Sequence, residues 1–313
     1  MMDRNTVNWT GAMPALTTPF KDDGKIDFDA HAANIERQLS AGATGFVVAG
    51  CTGEFWALSN DERAEIARET VRAVNGRGTT IVGTGAIQAD DVVAQSRAAE
   101  AAGADAVLVL PPYFVHATEA ELEAHFSSVN KATALPIVLY NIPGNAGNWL
   151  VPSLVDRLAD LDKVVAIKES SGDWLNFHRT LIAVRDRIRV FCGPSSVFGV
   201  AAVEAGADGL IDCFPNVWIE CLDLWRATRD GDTTRAAALQ ATGLSLTELF
   251  TSAGRTLYPA TKAAMNHLEL PGGGSLRPPL QSLSGPQLDG LLEGVNTILG
   301  DNGSGTKTAS AAE

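Results

Sequence analysis

The chain has 313 residues, 45% of them hydrophobic and 19% charged, which is apolar enough for a sizeable core and excludes disorder for most of its length. Its 24 Lys+Arg against 37 Asp+Glu give a net charge of -13, a balance that repels phosphate backbones and anionic lipids and argues against nucleic-acid and membrane partners. The four cysteines, Cys51, Cys192, Cys213 and Cys221, form no CxxC pair and are too few to staple the chain, so a reducing, cytoplasmic setting is expected.

Residues 1–9 are polar, lack a signal-peptide core and read as an N-terminal extension. No apolar run approaches the ~18 residues of a membrane span. Short apolar runs then recur: Ala12 to Thr17, Phe46 to Ala49, Thr80 to Thr84, Ala106 to Leu110, Ile137 to Tyr140, Val164 to Lys168, Arg189 to Cys192 and Gly209 to Asp212. Continuous apolar strands of this kind belong to parallel sheets buried on both faces. Helical patterns fill gaps between them: Asn60 to Val74, opened by an Asn/Asp cap, then Asp90 to Ala102, Thr118 to Ala132, Pro152 to Leu161 and Trp174 to Val184. Three near-repeats, beginning at Ser40, Ala101 and Glu204, share Ala-Gly-Ala followed by a short apolar strand, with Gly as the helix stop. Eight strands alternating with helices predict an α/β (β/α)8 TIM barrel over residues 10–230. A doubly wound sheet would want a GxGxxG turn after its first strand, and Thr17-Thr18-Pro19-Phe20 is not one. Beyond Pro215 the pattern is helical: Trp218 to Arg229, which suits the eighth barrel helix, then Asp232 to Thr251, Tyr258 to His267 and Pro286 to Leu299. Residues 231–300 are read as a C-terminal helical region, and 301–313, rich in Gly, Ser, Thr and Ala, as a disordered tail.

Barrel chemistry sits at the C-terminal ends of the strands. Of seven lysines, Lys168 alone ends an apolar strand. Burial lowers an amine's pKa and yields a carbonyl nucleophile, while an ion pair with Glu169 or Glu54 is an equally good reading of position alone. Tyr140 ends the preceding strand, either as a proton relay or as an interior phenol hydrogen-bonded to backbone. Gly50-Cys51-Thr52-Gly53 offers backbone N–H groups and a hydroxyl for a carboxylate, or is simply a tight turn. Cys51 lacks a histidine base, and the five histidines show no metal-ligand spacing, so no metal is expected. Asp212 closes the eighth strand as a rim carboxylate; a divalent site with Glu54 or Glu169 is the weaker alternative.

Five motifs in order (Pro14-Ala-Leu-Thr-Thr-Pro-Phe20, Gly50-Cys-Thr-Gly-Glu54, Pro112-Tyr113, Tyr140-Asn-Ile-Pro-Gly144 and Ile167-Lys-Glu-Ser-Ser-Gly-Asp173) resemble the dihydrodipicolinate synthase / N-acetylneuraminate lyase family of Schiff-base aldolases. The resemblance spans roughly residues 10–299 and implies a barrel with a helical appendage, a homotetramer and no cofactor. It implies that Lys168 is the Schiff-base lysine, Tyr140 the proton shuttle and Thr52 a carboxylate ligand. Cys51, Gly53, Tyr113, Asn145, Gly193, Ile211 and Asp212 are the further substrate-binding positions. The substrate is then a small 2-oxo acid such as pyruvate.

Three positions depart from the family's synthases. Cys51 stands where they have a relay hydroxyl, Phe114 where a second tyrosine completes the relay across a subunit interface, and Asn145 where an arginine binds a second carboxylate. The expected activity is therefore a Schiff-base lyase or aldolase acting on a 4-hydroxy-2-oxo acid or a 2-keto-3-deoxy sugar acid. The alternatives are condensation of pyruvate with aspartate semialdehyde, dehydration of a keto-deoxy sugar acid, and a non-catalytic 2-oxo acid sensor.

Overall fold

A computed structural model describes residues 1–300. The expected tail, 301–313, lies outside the described residues. Eight parallel strands make the barrel wall: β1 (Gly11–Ala12), β2 (Gly45–Val48), β3 (Thr79–Gly83), β4 (Ala106–Val109), β5 (Ile137–Asn141), β6 (Val164–Glu169), β7 (Arg189–Cys192) and β8 (Gly209–Leu210). They pair in the order β1-β8-β7-β6-β5-β4-β3-β2. The ring closes where the Leu16 N–H donates to the Val47 carbonyl and the Val47 N–H to the Pro14 carbonyl, each at 2.9 Å. The first and last strands are shorter than the apolar runs suggested, but pairing continues past them: the Met13 N–H donates to the Leu210 carbonyl at 2.9 Å, the Ala15 N–H to the Asp212 carbonyl at 2.8 Å and the Ile211 N–H to the Cys192 carbonyl at 2.9 Å.

The wall strands look uniformly apolar, yet their side chains alternate between two cores, as the period of two requires. Val47, Ile81, Leu108, Val138, Ala166 and Phe191 fill the barrel interior. Val48, Val82, Val109, Leu139, Ile167 and Val190 face the helices outside. Counting two residues on from Val138 and Ala166 turns Tyr140 and Lys168 inward.

The helices are α1 (Phe28–Ser40), α2 (Asn60–Val74), α3 (Ala89–Ala101), α4 (Glu119–Ala132), a short α5 (Pro143–Ala146), α6 (Pro152–Leu158), α7 (Trp174–Val184), α8 (Ser195–Ala205), α9 (Asp223–Arg229), α10 (Thr233–Thr251), α11 (Leu257–His267) and α12 (Gly285–Leu299). Helix α2 is capped by Ser59 in a capping box with Glu62, not by Asn60 or Asp61. The helix stops at the three repeats are as expected: Gly42, Gly103 and Gly206 have φ of 97°, 82° and 109°. Trp218 to Arg229 is two pieces, a 3-10 turn at Ile219–Leu222 and then α9.

Helices α1 and α8 are absent from the helical patterns named above, although the Phe28, Ala32, Ile35 and Leu39 spacing of α1 is a helical one. α1 buries polar His31, Asn34 and Gln38 beside Ile35. Its Asn34 and Gln38 amides donate to the Asn216 side-chain oxygen at 2.9 and 3.3 Å. α8 is apolar nearly all round, the mark of a helix covered on both sides, and α10 packs on its outer side. α10, α11 and α12 pack on one another, which carries α11 to the mouth of the barrel. Among the described residues no helix is long and apolar enough to cross a membrane.

Candidate active site

Lys168 and Tyr140 are paired residues of β6 and β5. Both are buried, and Lys168 Nζ lies 3.4 Å from the Tyr140 hydroxyl and 4.5 Å from its ring centroid. Strand parity sends the next residues, Asn141 and Glu169, to the outer side, where the Asn141 amide donates to Glu169 Oε1 at 2.7 Å. The Ser171 N–H and Asn176 amide also donate to that oxygen. Glu54 pairs with Lys262. Both carboxylates that offered Lys168 an ion pair are therefore engaged elsewhere. Among the described residues Lys168 has no carboxylate within ion-pair distance.

Burial pushes the Lys168 amine below the usual lysine value, while the neighbouring Cys51, Asp212 and Cys213 oppose that shift. Burial first, and Cys51 and Tyr258 next, hold the Tyr140 phenol well above its ordinary value, so it stays protonated. The pair is thus an amine drawn toward its neutral form beside a neutral phenol. Such a pair can attack a carbonyl and move a proton.

The turn after β2 is a strained loop. Ala49 and Glu54 bracket it at φ of 51° and 53°, conformations that non-glycine residues adopt only when their surroundings impose them. A Cβ on Gly83 would lie 2.2 Å from the Ala49 carbonyl oxygen, so only glycine admits this path. Cys51 and Thr52 line the cavity. Gly53 does not; its carbonyl accepts the Thr18 hydroxyl at 2.7 Å, which fixes the turn to the segment after β1.

The cavity over Lys168 measures about 180 Å³. Gly193 and Ile211 line it as expected. A Cβ on Gly193 would fall 1.7 Å from Ser170 Oγ, so glycine there keeps the Ser170 hydroxyl in place. That hydroxyl is buried without a hydrogen-bond partner among the described residues. Asp212 reaches the lining, but its carboxylate caps α8. It accepts from Ser195 Oγ at 2.8 Å, the Ser196 N–H at 2.9 Å and the Cys213 N–H at 2.6 Å.

Tyr113 and Asn145 are not brought into the lining. Tyr113 packs edge-on against Phe55, ring centroids 6.1 Å apart, and the exposed Asn145 donates its amide to the Tyr258 hydroxyl at 3.1 Å.

The sequence reading missed the far wall. Ser196, Thr247 and Thr251 supply hydroxyls there, with Thr247 Oγ1 donating to Ser196 Oγ at 2.9 Å. Tyr258 from α11 completes the mouth. A faint signal existed, since Tyr258 is one of only three tyrosines. Its helix, however, comes to the mouth only through tertiary packing.

The family model described as the dihydrodipicolinate synthetase family matches residues 8–296. The chain belongs to this family. It is accordingly an enzyme, a lyase of the dihydrodipicolinate synthetase family with that family's barrel. It is 33% identical over 306 residues to 4-hydroxy-tetrahydrodipicolinate synthase 1 of Streptomyces coelicolor, covering 96% of this chain and 98% of that one. It is 37% identical over 281 residues to the 4-hydroxy-tetrahydrodipicolinate synthase of Xanthomonas campestris pv. campestris, covering 88% and 90%. Among solved structures it resembles YagE, a family member from E. coli K12 in complex with pyruvate. The TM-score is 0.88 at 29% identity, covering 93% of this chain and 99% of that one.

Proposed function

We propose that this family member is a Schiff-base-forming lyase acting on a 2-oxo acid, with pyruvate as product or donor. One observation carries the reading: Lys168 Nζ is buried at a strand end, 3.4 Å from the Tyr140 hydroxyl, with no carboxylate partner among the described residues. Neutral Lys168 adds to the C2 carbonyl, and the carbinolamine loses water to an iminium. The Thr52 hydroxyl and the backbone N–H groups of its turn hold the adjacent carboxylate. The iminium then accepts the electron pair of a C3–H or C3–C4 bond and becomes an enamine, with Tyr140 moving the proton.

The far wall supports a neutral, hydroxylated second half of the substrate. It offers Ser170, Ser196, Thr247 and Thr251 hydroxyls, and the only charged side chains lining the cavity among the described residues are Lys168 and Asp212. A second carboxylate would meet no further cation there, and Asn145 is a neutral amide. The reading is therefore aldol cleavage of a 4-hydroxy-2-oxo acid or a 2-keto-3-deoxy sugar acid. The names of the relatives favour a second reading, condensation of pyruvate with aspartate semialdehyde.

Borohydride reduction in the presence of pyruvate, followed by peptide mass spectrometry, tests the Schiff base. An adduct on Lys168 is expected, and its absence overturns the reading. Turnover with pyruvate plus aspartate semialdehyde, set against a panel of hydroxylated aldehydes, separates the two substrate classes.

A homotetramer belongs to the same proposal. Phe114, 91% exposed and held at φ 75°, and its exposed neighbour Val115 support a contact with another copy. Mass determination in solution checks it.

A further inference from the structure

Tyr258 is the one phenol of the cavity that the scheme above leaves without work. It stands four residues before Lys262 on α11, so the two side chains share a helix face. That face docks on the turn after β2 at both ends: Lys262 pairs with Glu54, and Tyr258 packs against the apolar cluster that holds Cys51 and lines the same cavity as its thiol. The Tyr258 ring also packs on Trp56, centroids 5.4 Å apart, and its oxygen accepts the Asn145 amide at 3.1 Å. On the inner side the Tyr140 hydroxyl lies 4.0 Å from Cys51 Sγ and 3.4 Å from Lys168 Nζ. Lys168, Tyr140, Cys51 and Tyr258 thus form one contiguous series. It runs from a buried amine to a phenol that is partly exposed at the mouth.

We propose that Tyr258 is the outer member of a proton relay built within a single chain, passing the C3 proton of the bound 2-oxo acid between Tyr140 and solvent through the Cys51 thiol. The inference rests on the Schiff-base reading of Lys168. In the forward direction the C3–H bond breaks and its electron pair forms the C2–C3 double bond, while the iminium π pair moves to nitrogen. The C3 proton bonds to the Tyr140 oxygen as the Tyr140 proton moves to sulfur. The thiol proton moves to the Tyr258 oxygen, and the Tyr258 proton leaves to water. Each relay group ends neutral and protonated, and the positive charge of the iminium departs as a hydrated proton. No member need exist as a free phenolate or thiolate, which suits groups buried this far from water. Asn145, whose amide N–H can only donate, is a positioning residue for the Tyr258 oxygen.

The relay can be read without knowing the second substrate, because an enamine formed from pyruvate exchanges its methyl protons with D2O. Methyl exchange followed by proton NMR is compared with borohydride trapping on the same samples. In Tyr258→Phe, which keeps the ring on Trp56, exchange should slow by about tenfold or more while the Lys168 adduct forms to the same extent. Cys51→Ala should do the same and Cys51→Ser should restore much of the rate. The double variant Tyr258→Phe/Cys51→Ala should be no slower than the slower single. Wild-type exchange in Tyr258→Phe overturns the relay, as do losses that multiply in the double variant. Exchange and adduct falling together would make Tyr258 a structural residue and also overturn it. Failure of the wild type to form any adduct overturns the Schiff-base reading instead.

Discussion

Two buried lysines, about equally hidden, do different things. Lys168 is 6% exposed and Lys262 is 2% exposed. Each amine sits over an aromatic ring, Tyr140 at 4.5 Å and Phe20 at 4.3 Å. Burial pushes both amines below the usual lysine value. Lys262, however, has the Glu54 carboxylate and donates to the Ser275 carbonyl at 2.7 Å, so its charge is matched and hydrogen-bonded. Lys168 has a phenol. The difference teaches that burial alone does not make a reactive amine. A buried lysine becomes chemistry when the fold withholds a carboxylate, and becomes a tie between segments when the fold supplies one.

The comparison breaks hardest at Lys168. Lys168→Arg keeps the charge and removes the nucleophile, so turnover should fall by about 10³-fold or more with no borohydride adduct, read by steady-state assay and mass spectrometry. Lys262→Met should still form the adduct at a temperature where it is folded. Its cost is in stability: removing one partner of a buried pair should destabilise by about 3–5 kcal/mol in denaturant unfolding. The double variant Glu54→Gln/Lys262→Met should recover part of that loss, because no uncompensated charge remains. Equal destabilisation by Lys168→Met would erase the distinction.

Tyr140→Phe should lower turnover by about 10²-fold while leaving the melting temperature near that of the wild type.

The smallest effect is on pH dependence. The folded amine of Lys168 titrates below its unfolded value of 10.5, so the unfolded state binds more protons across that interval. Stability should therefore rise with pH as the folded amine deprotonates, and this increment should level off above 10.5. In Lys168→Met that increment should vanish, measured by unfolding midpoints between neutral and alkaline pH.

The reactive pair was legible in the sequence because its position is fixed by counting along a strand, whereas Cys51, Thr52 and Gly193 lie in turns and were reached through the motif resemblance. Lys168 and Tyr140 end continuous apolar runs, and a strand period of two then decides which way they point. The repeats with Ala-Gly-Ala marked helix ends because glycine alone enters the left-handed region cheaply. What escaped were groups whose role depends on a distant partner. Lys262 reads as one more helical lysine until α11 is laid against Glu54, more than 200 residues earlier. Tyr113 sits in a matching motif and Asn145 directly after one, as a departure from the family's synthases, yet the loops that carry them turn them onto Phe55 and Tyr258. Asp212 ends its strand as expected, but the start of α8 claims its carboxylate. That helix was invisible because a segment apolar nearly all round carries no amphipathic period.

The sequence by itself determined the barrel, its strand list and the inward lysine–tyrosine pair, because hydrophobic pattern and strand period act locally. Tertiary structure alone decided which buried lysine is paired, and it brought α11 over the mouth to add Tyr258 to the site. Both depend on electrostatic and packing contacts between segments far apart in the chain, and no local period encodes those.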